Sequence, residues 1–354
     1  MQKNIVYLGR MFLGIAAGTF ALGTSLANAE QINVKMANNG SCVVYGAHVA
    51  DEMGIYKDAD VQVNFVSPAD QIPAVAFLSN GGADLVMLDP NEIYAAATAG
   101  QDTSLIYEVM QQEAANVAVR ADSDITSLED LKGKTIGLAS DRDTATTAIA
   151  LYTVGLTIDD VNTVVVGDSG PVVARALRDG EVDAFTGGPE DMAGIDAAGV
   201  PLRYITPLLV SQSVGNTFAV WDDRAEEKRE VITKFLRGIS MANLATLIDP
   251  KAAASMCRAR LPEEWEDPSV GWGIFNLAIQ KLALKRTKQW GELQEDVWAN
   301  YQQPLIELGQ HPAFIDPSEF LDDSFIEGAN DFTTLEVKQY INAWREANPD
   351  KMLP

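Results

Sequence analysis

Two cysteines, two histidines and 26 Lys plus Arg against 50 Asp plus Glu are all that 354 residues supply. Each scarcity excludes something. His48 and His311, with Cys42 and Cys257 far apart in the chain, form no HExxH and no CxxC, so no transition-metal site or thiol-redox pair is encoded. There is no Walker loop and no GxGxxG, and no cofactor is expected. A formal charge of −24 with no basic cluster excludes nucleic acid and an anionic membrane surface as partners, because both are held by Lys and Arg. The acidity itself reads as a solvated surface suited to a saline exterior. Beyond the first 29 residues no run is expected to be long and apolar enough to span a bilayer.

What is present begins with a leader. Lys3 and Arg10 flank the start of the apolar run Met11 to Leu22, and Ala27-Asn28-Ala29 puts small residues at a signal-peptidase site. The apolar core is shorter than the roughly 20 residues of a spanning helix. Cleavage is expected near Ala29, leaving a periplasmic chain with no membrane anchor. In that oxidising compartment Cys42 and Cys257 either pair or stay as buried thiols.

The remaining chain is long enough for two lobes, each with its own core. Ile32 to Met36 reads as a strand, followed by a polar loop and a helix through Met53 that Gly54 stops. Val61 to Val66 is a β-branched strand, Pro68 to Leu78 a helix, Ala83 to Leu88 a buried strand and Asn91 to Ala99 a helix. The same grammar restarts with strand Thr135 to Leu138, helix Thr144 to Val154, strand Thr163 to Val166, helix Pro171 to Arg178 and strand Ala184 to Thr186. Asp84-Leu-Val-Met-Leu88 lacks period-two alternation, as expected where helices cover both faces of a parallel sheet. The expected fold class is therefore α/β, with two lobes that are each a mostly parallel sheet flanked by helices. Asn116 to Arg120 and Asn216 to Val220 are the two expected hinge strands. This places a leader at 1–29, the first lobe at 30–118 and 215–354, and the second at 119–214. The last third is helical, carries five of the six tryptophans, and is expected to pack on the first lobe.

One motif misleads. Gly167-Asp-Ser-Gly-Pro171 looks like the nucleophile signature of trypsin-like proteases, but it joins a parallel strand to a helix and lacks a second glycine before the proline. Ser169 is better read as a turn residue or N-cap, His48 as a core or boundary histidine, and His311 as a loop residue before Pro312.

Five fragments, in order, carry a resemblance: Met53-Gly-Ile-Tyr56, Leu78-Ser-Asn-Gly-Gly-Ala-Asp84, Ser127 to Ala139, Leu177-Arg-Asp-Gly-Glu-Val-Asp-Ala-Phe185 and Val214-Gly-Asn-Thr217. With them the mature chain resembles the type II periplasmic binding proteins of ABC importers, in the group that takes up nitrate, sulfonates, taurine and thiamine-precursor pyrimidines. The resemblance implies that a small-molecule ligand sits between the lobes, that the hinge closes on it, and that an inner-membrane ABC permease receives it. By position it implicates Asn38, Asn39 and Ser41 after the first strand, Ser67 and Asp70 at the second helix, and Asp89 and Pro90 after the third strand. In the second lobe it implicates Arg142, Asp143, Thr144, Gly188, Glu190 and Asp191, with Asn216 and Thr217 at the hinge. The chain departs from the family pattern at Gly187-Gly188, where many relatives have an aromatic, and at Asp143-Thr144, where many have a Gly-Ser pair.

These departures bear on the ligand. Asp70, Asp89, Asp143, Glu190 and Asp191 face the single cation Arg142, a balance that favours an amine or pyrimidine-like ligand over a bare anion. The bland alternative is that the acids are helix caps and surface charges, and that Arg142 pairs with Asp141 or Asp143 rather than clamping a sulfonate or carboxylate. No catalysis is expected. A pyrimidine-precursor synthase on the same fold needs reactive His and Cys, and only Cys42 and His48 lie in the region. A ligand-sensing subunit is a further alternative that neighbouring genes discriminate.

Overall fold

The computed structural model describes residues 29–37, 40–66, 73–282 and 287–354. The leader, Asn38, Asn39, Ser67, Asp70 and the first residues of the helix expected at 68–78 lie outside the described residues.

The first unit runs β1 (Glu30–Lys35), a 3₁₀ turn Cys42–Val44, α1 (Tyr45–Glu52), the one-turn α2 (Ile55–Asp58), β2 (Val61–Phe65), α3 (Ala74–Ser79), β3 (Leu85–Leu88), α4 (Pro90–Thr98) and β4 (Thr103–Glu108). The second runs β5 (Asn116–Arg120), β6 (Thr135–Leu138), α5 (Asp143–Tyr152), β7 (Asn162–Val165), α6 (Gly170–Asp179), β8 (Ala184–Gly187), α7 (Pro189–Ala197), β9 (Leu202–Tyr204), α8 (Leu208–Ser211) and β10 (Thr217–Trp221). A helical tail follows, comprising α9 (Asp222–Ala225), α10 (Arg229–Ile248), α11 (Pro250–Arg260), α12 (Pro268–Leu282), α13 (Glu295–Glu307), α14 (Ile326–Ala329) and α15 (Thr334–Ala347).

Two five-stranded sheets result, ordered β2-β1-β3-β10-β4 and β7-β6-β8-β5-β9. In each, three parallel strands are followed by one antiparallel strand, β10 against β3 and β5 against β8. The two expected hinge strands are therefore full members of the sheets. The chain changes sheet between Glu108 and Asn116 and returns between Tyr204 and Thr217.

The sequence motif shared by the two halves has a mechanical role in both. Asp84 Oδ2 accepts the Asn33 amide at 2.8 Å while the Asp84 amide donates to the Asn33 carbonyl at 2.8 Å. Asp183 does the same to Thr135, at 2.9 and 2.8 Å. Each aspartate thus locks the start of its third strand to its first, and satisfies a backbone donor that the sheet leaves free at its rim.

The tail packs as its apolar positions direct. Trp265, Trp290, Trp298 and Trp344 are buried and Trp272 lies partly exposed at T-shaped contact with Trp265. Glu108 at the end of β4 is 1 % exposed and holds α13: it accepts the Gln294 amide at 2.7 Å, Gln294 Nε2 at 2.6 Å and Trp298 Nε1 at 3.0 Å. α10 corrects one expectation. By length and composition it is apolar enough to cross a bilayer, but 67 % of that window is buried, against α1, α11, α14 and α15. The expectation that the tail packs on the first lobe is also incomplete, because α12 lies against α7 of the second unit as well as the Cys42–Val44 turn.

Cys42 and Cys257 form a disulfide, Cα–Cα 6.1 Å, so the open choice between cystine and thiols resolves to cystine. It ties the turn after β1 to α11, across 215 residues.

Candidate ligand-binding site

The loops after β1, β3, β6 and β8 leave the carboxyl ends of their strands and each opens a helix, the place where open α/β sheets present polar ligands. Ser41 caps the Cys42–Val44 turn, its Oγ accepting the Val43 amide at 3.1 Å and donating to Glu264 Oε1 at 2.5 Å. The other oxygen of Glu264 accepts the Cys42 amide at 2.9 Å. Asp89 caps α4 through the Asn91 and Glu92 amides at 2.9 and 3.0 Å, and Glu92 returns to the Asp89 amide at 3.1 Å, a reciprocal box with Pro90 at the first helical position. Asp143 begins α5 and accepts both the amide and the hydroxyl of Ser140, at 2.8 and 2.9 Å. Asp191 in the first turn of α7 accepts the Gly188 amide at 2.7 Å through Oδ2. It is 4 % exposed, and its Oδ1 has no hydrogen-bond partner among the described residues.

The electrostatics join these groups. Burial, then the charge of Glu190, pushes Asp191 up to about 7, with smaller contributions from Asp143 and Asp168. Burial raises Asp143. Burial raises Glu264, and the Glu190 charge adds to it against the hydrogen bonds from Ser41 and Cys42. Glu92 is raised by burial and by Asp89, while Arg142 opposes. Glu113, in the crossing between the sheets, is pushed up to about 7 by burial, with Asp89 raising and Lys281 lowering it. The carboxylate set therefore falls into two groups, Asp89, Glu92 and Glu113 in the first unit and Asp143, Asp168, Glu190 and Asp191 in the second with Glu264 of the tail, and Arg142 acts on a member of each, Glu92 and Asp143.

Of the residues chosen from sequence, Ser41, Asp89, Arg142, Asp143, Glu190 and Asp191 enter this set. Pro90 and Gly188 are backbone positions at the helix starts. Thr144 sits in the first turn of α5. Asn216 and Thr217 open β10, where the Asn216 carbonyl accepts the Val109 and Met110 amides at 3.2 and 3.0 Å and Thr217 Oγ1 donates to the Gly215 carbonyl at 3.2 Å. They hold the crossing together, with their described bonds made to backbone. Arg142 is exposed and makes no ion pair among the described residues, so of the two alternatives the pairing with Asp141 or Asp143 is not formed; its charge acts on Glu92 and Asp143. Ser169 is the N-cap residue of α6.

Glu92, Glu113, Asp168, Glu264 and Lys281 were not singled out from the sequence. Glu264 arrives from the tail, some 220 residues after Ser41, and no spacing rule signals it. The departure at Gly187-Gly188 acquires a reason. A Cβ on Gly187 would stand 2.5 Å from Asp191 Oδ2, and one on Gly188 2.8 Å from Glu190 Oε2. The glycine pair leaves room for the two acids.

A family model described as "NMT1/THI5 like" matches residues 42–253. The chain belongs to the NMT1/THI5-like family. Solved structures similar to this NMT1/THI5-like protein share its fold. The periplasmic aliphatic sulphonate binding protein SsuA of Escherichia coli is 19% identical, with TM-score 0.63 over 82% of this chain and 96% of that one. The alkanesulfonate-binding protein SsuA of Xanthomonas axonopodis pv. citri, bound to MOPS, is 16% identical, with TM-score 0.62 over 84% and 100%. The desulfurization enzyme DszB is 18% identical, with TM-score 0.57 over 84% and 98%. No curated protein matches the chain in sequence. The architecture is that of the two-lobed type II periplasmic binding proteins.

Proposed function

We propose that this protein is a periplasmic solute receptor that captures a small nitrogenous ligand, neutral to cationic, between its lobes and delivers it to an inner-membrane ABC permease. The two carboxylate groups, one in the first unit and one in the second with Glu264 of the tail, carry this reading, with Arg142 and Lys281 the cations acting on them among the described residues. A bare anion meets more like charge than opposite charge there, whereas an ammonium or amino-pyrimidine gains charge-assisted hydrogen bonds. Asp191 is the residue expected to make the deciding contact, since its Oδ1 is buried without a partner among the described residues. Binding rather than catalysis is supported by the disulfide: Cys42, the thiol nearest the site in sequence, is bonded to Cys257, and His48 is 4 % exposed on α1.

The test is calorimetry of the purified protein against a panel of amines, amino-pyrimidines, alkanesulfonates and carboxylates. Tight binding of an amine or amino-pyrimidine, weakened by Asp191→Asn more than by Arg142→Ala, supports the reading. Tight binding of a sulfonate, abolished by Arg142→Ala and indifferent to Asp191→Asn, reverses the ligand class and places the protein with its sulfonate-binding structural neighbours.

A further inference from the structure

On the flank where α4, α5 and α13 meet there is a cavity of about 600 Å³, within the roughly 300–1,000 Å³ of small-molecule sites. It shares no residue with the carboxylate set. Three alanines create it: Ala95 on α4, Ala99 just past the end of α4 and Ala145 on α5 stop at Cβ where longer side chains would fill the space. The ring of Tyr94 and the side chain of Leu305 add apolar wall. Among the described residues no Asp, Glu, Lys or Arg lines it.

Asn91, Thr98, Gln310 and His311 supply its polar groups, and His311 is 3 % exposed. The imidazole lies against the Tyr94 ring, centroids 5.2 Å apart, with Nδ1 3.3 Å from Thr98 Oγ1. Nε2 is buried and has no hydrogen-bond partner among the described residues. Burial lowers the His311 pKa, so the ring is neutral at physiological pH. A mostly apolar wall with a few polar side chains is the composition expected of a small-molecule pocket.

We propose that this cavity is a second ligand site, for a compact neutral molecule with an aromatic or alicyclic body and one hydroxyl or amide that hydrogen-bonds to the polar groups at its His311 end. The absence of lining charge selects neutrality, the alanines and Tyr94 select a ring, and the polar groups at the His311 end set its orientation. The occupant touches α4 of the first unit and α5 of the second. Asn91 and Ala145 in its wall stand two residues beyond Asp89 and Asp143, so a molecule here biases the same relative placement of the two units that the carboxylate site requires. The inference goes beyond the solute-receptor reading and does not depend on which ligand the carboxylates bind.

The chain has only two histidines, so the imidazole carbon–proton signals in a two-dimensional NMR spectrum report the site directly, with His311→Gln assigning them. 2-Naphthol is the probe, with naphthalene-2-sulfonate and 2-(aminomethyl)naphthalene as charged controls on the same ring. 2-Naphthol is expected to shift the His311 signals saturably and leave those of His48 in place. Ala99→Leu and Ala95→Leu, both at exposed positions, are expected to weaken it at least tenfold while the thermal melt stays cooperative. Both charged analogues should bind at least tenfold more weakly. No saturable shift up to the solubility limit, equal shifts of both histidines, unchanged binding in both leucine variants, or a sulfonate binding as well as the naphthol would each overturn the proposal. Calorimetry with amines and sulfonates reads the carboxylate site separately, so failure of one reading is distinguishable from failure of the other.

Discussion

Asp191 gives one carboxylate oxygen to the Gly188 amide and keeps the other buried, and with Glu113 it holds a proton up to about pH 7. Two expectations follow at this scale. A cation binds the ionised form of Asp191, so its affinity should rise between pH 6 and pH 8, and Asp191→Asn should flatten that dependence in calorimetry. The second concerns the ligand-free protein. Both acids have folded values raised above their unfolded ones, so the native state binds protons that the unfolded chain releases, and stability falls as pH rises through about 7. The comparison belongs at pH 6.5 against pH 8, because His311, lowered by burial, acts in the opposite sense below about 6.5. The two acids together should make the protein more stable at pH 6.5 by roughly 1–2 kcal/mol, and differential scanning calorimetry should show the higher melting temperature there. Asp89 shows what residue-level reading captured: its place before Pro90 marked it as a helix cap, and it caps α4 through two amides. Asp191 was equally visible, but its orphan oxygen was not, because that depends on what packs around it.

α13 illustrates an element whose position is set by one buried side chain. Glu108 satisfies the Gln294 amide at the start of that helix, the Gln294 side chain and the Trp298 indole at once. Glu108→Ala leaves these donors unpaired in the core and is expected to cost on the order of 3 kcal/mol, measured as a lower urea midpoint with little change in slope. Helix starts were legible in sequence, α4 from Asp89-Pro90, which forms a reciprocal cap, and α6 from Ser169, which takes the N-cap position without a side-chain cap bond. Strands β1 to β3, β5 to β8 and β10 were legible as β-branched, buried or extended runs, whereas β4 and β9 were not picked out. What pattern did not convey is that Asn116–Arg120 and Thr217–Trp221 become antiparallel members of the sheets, since the partners of an extended segment are chosen by chain path rather than by its own residues.

Across the whole molecule, the two units are joined by the sheet crossings, by α12 and by the flank around α13. Phe275 and Ile274 of α12 share a core with Tyr45 and Cys42, while Leu277 also packs on the core of the second unit. A Cβ on Gly273 would lie 2.9 Å from that of Ala193 on α7, so the two helices meet at near-minimal separation. Gly273→Leu should therefore hold the units apart, seen in solution scattering as a larger radius of gyration than the parent protein at saturating ligand. The parent should contract on binding, as a hinged receptor does. The cystine acts at this scale too. It closes a loop of 215 residues, and replacing both cysteines by serine is expected to lower stability by up to about 5 kcal/mol in the chain-entropy account, read as a fall in the guanidinium midpoint relative to the oxidised parent.

The sequence by itself determined the two β-α repeats, the Asp84 and Asp183 motifs that open the third strand of each, the family resemblance and the excess of acid near the strand ends. These are local properties, written in periodicity, caps and turn glycines within a few residues of one another. The tertiary structure alone decided that Cys42 bonds Cys257, that Glu264 from the tail meets Ser41, that α12 touches both units, and that Asp191 has one oxygen without a partner among the described residues. Each of those joins residues far apart in the chain, and one sequence without its packing holds no term that couples such positions.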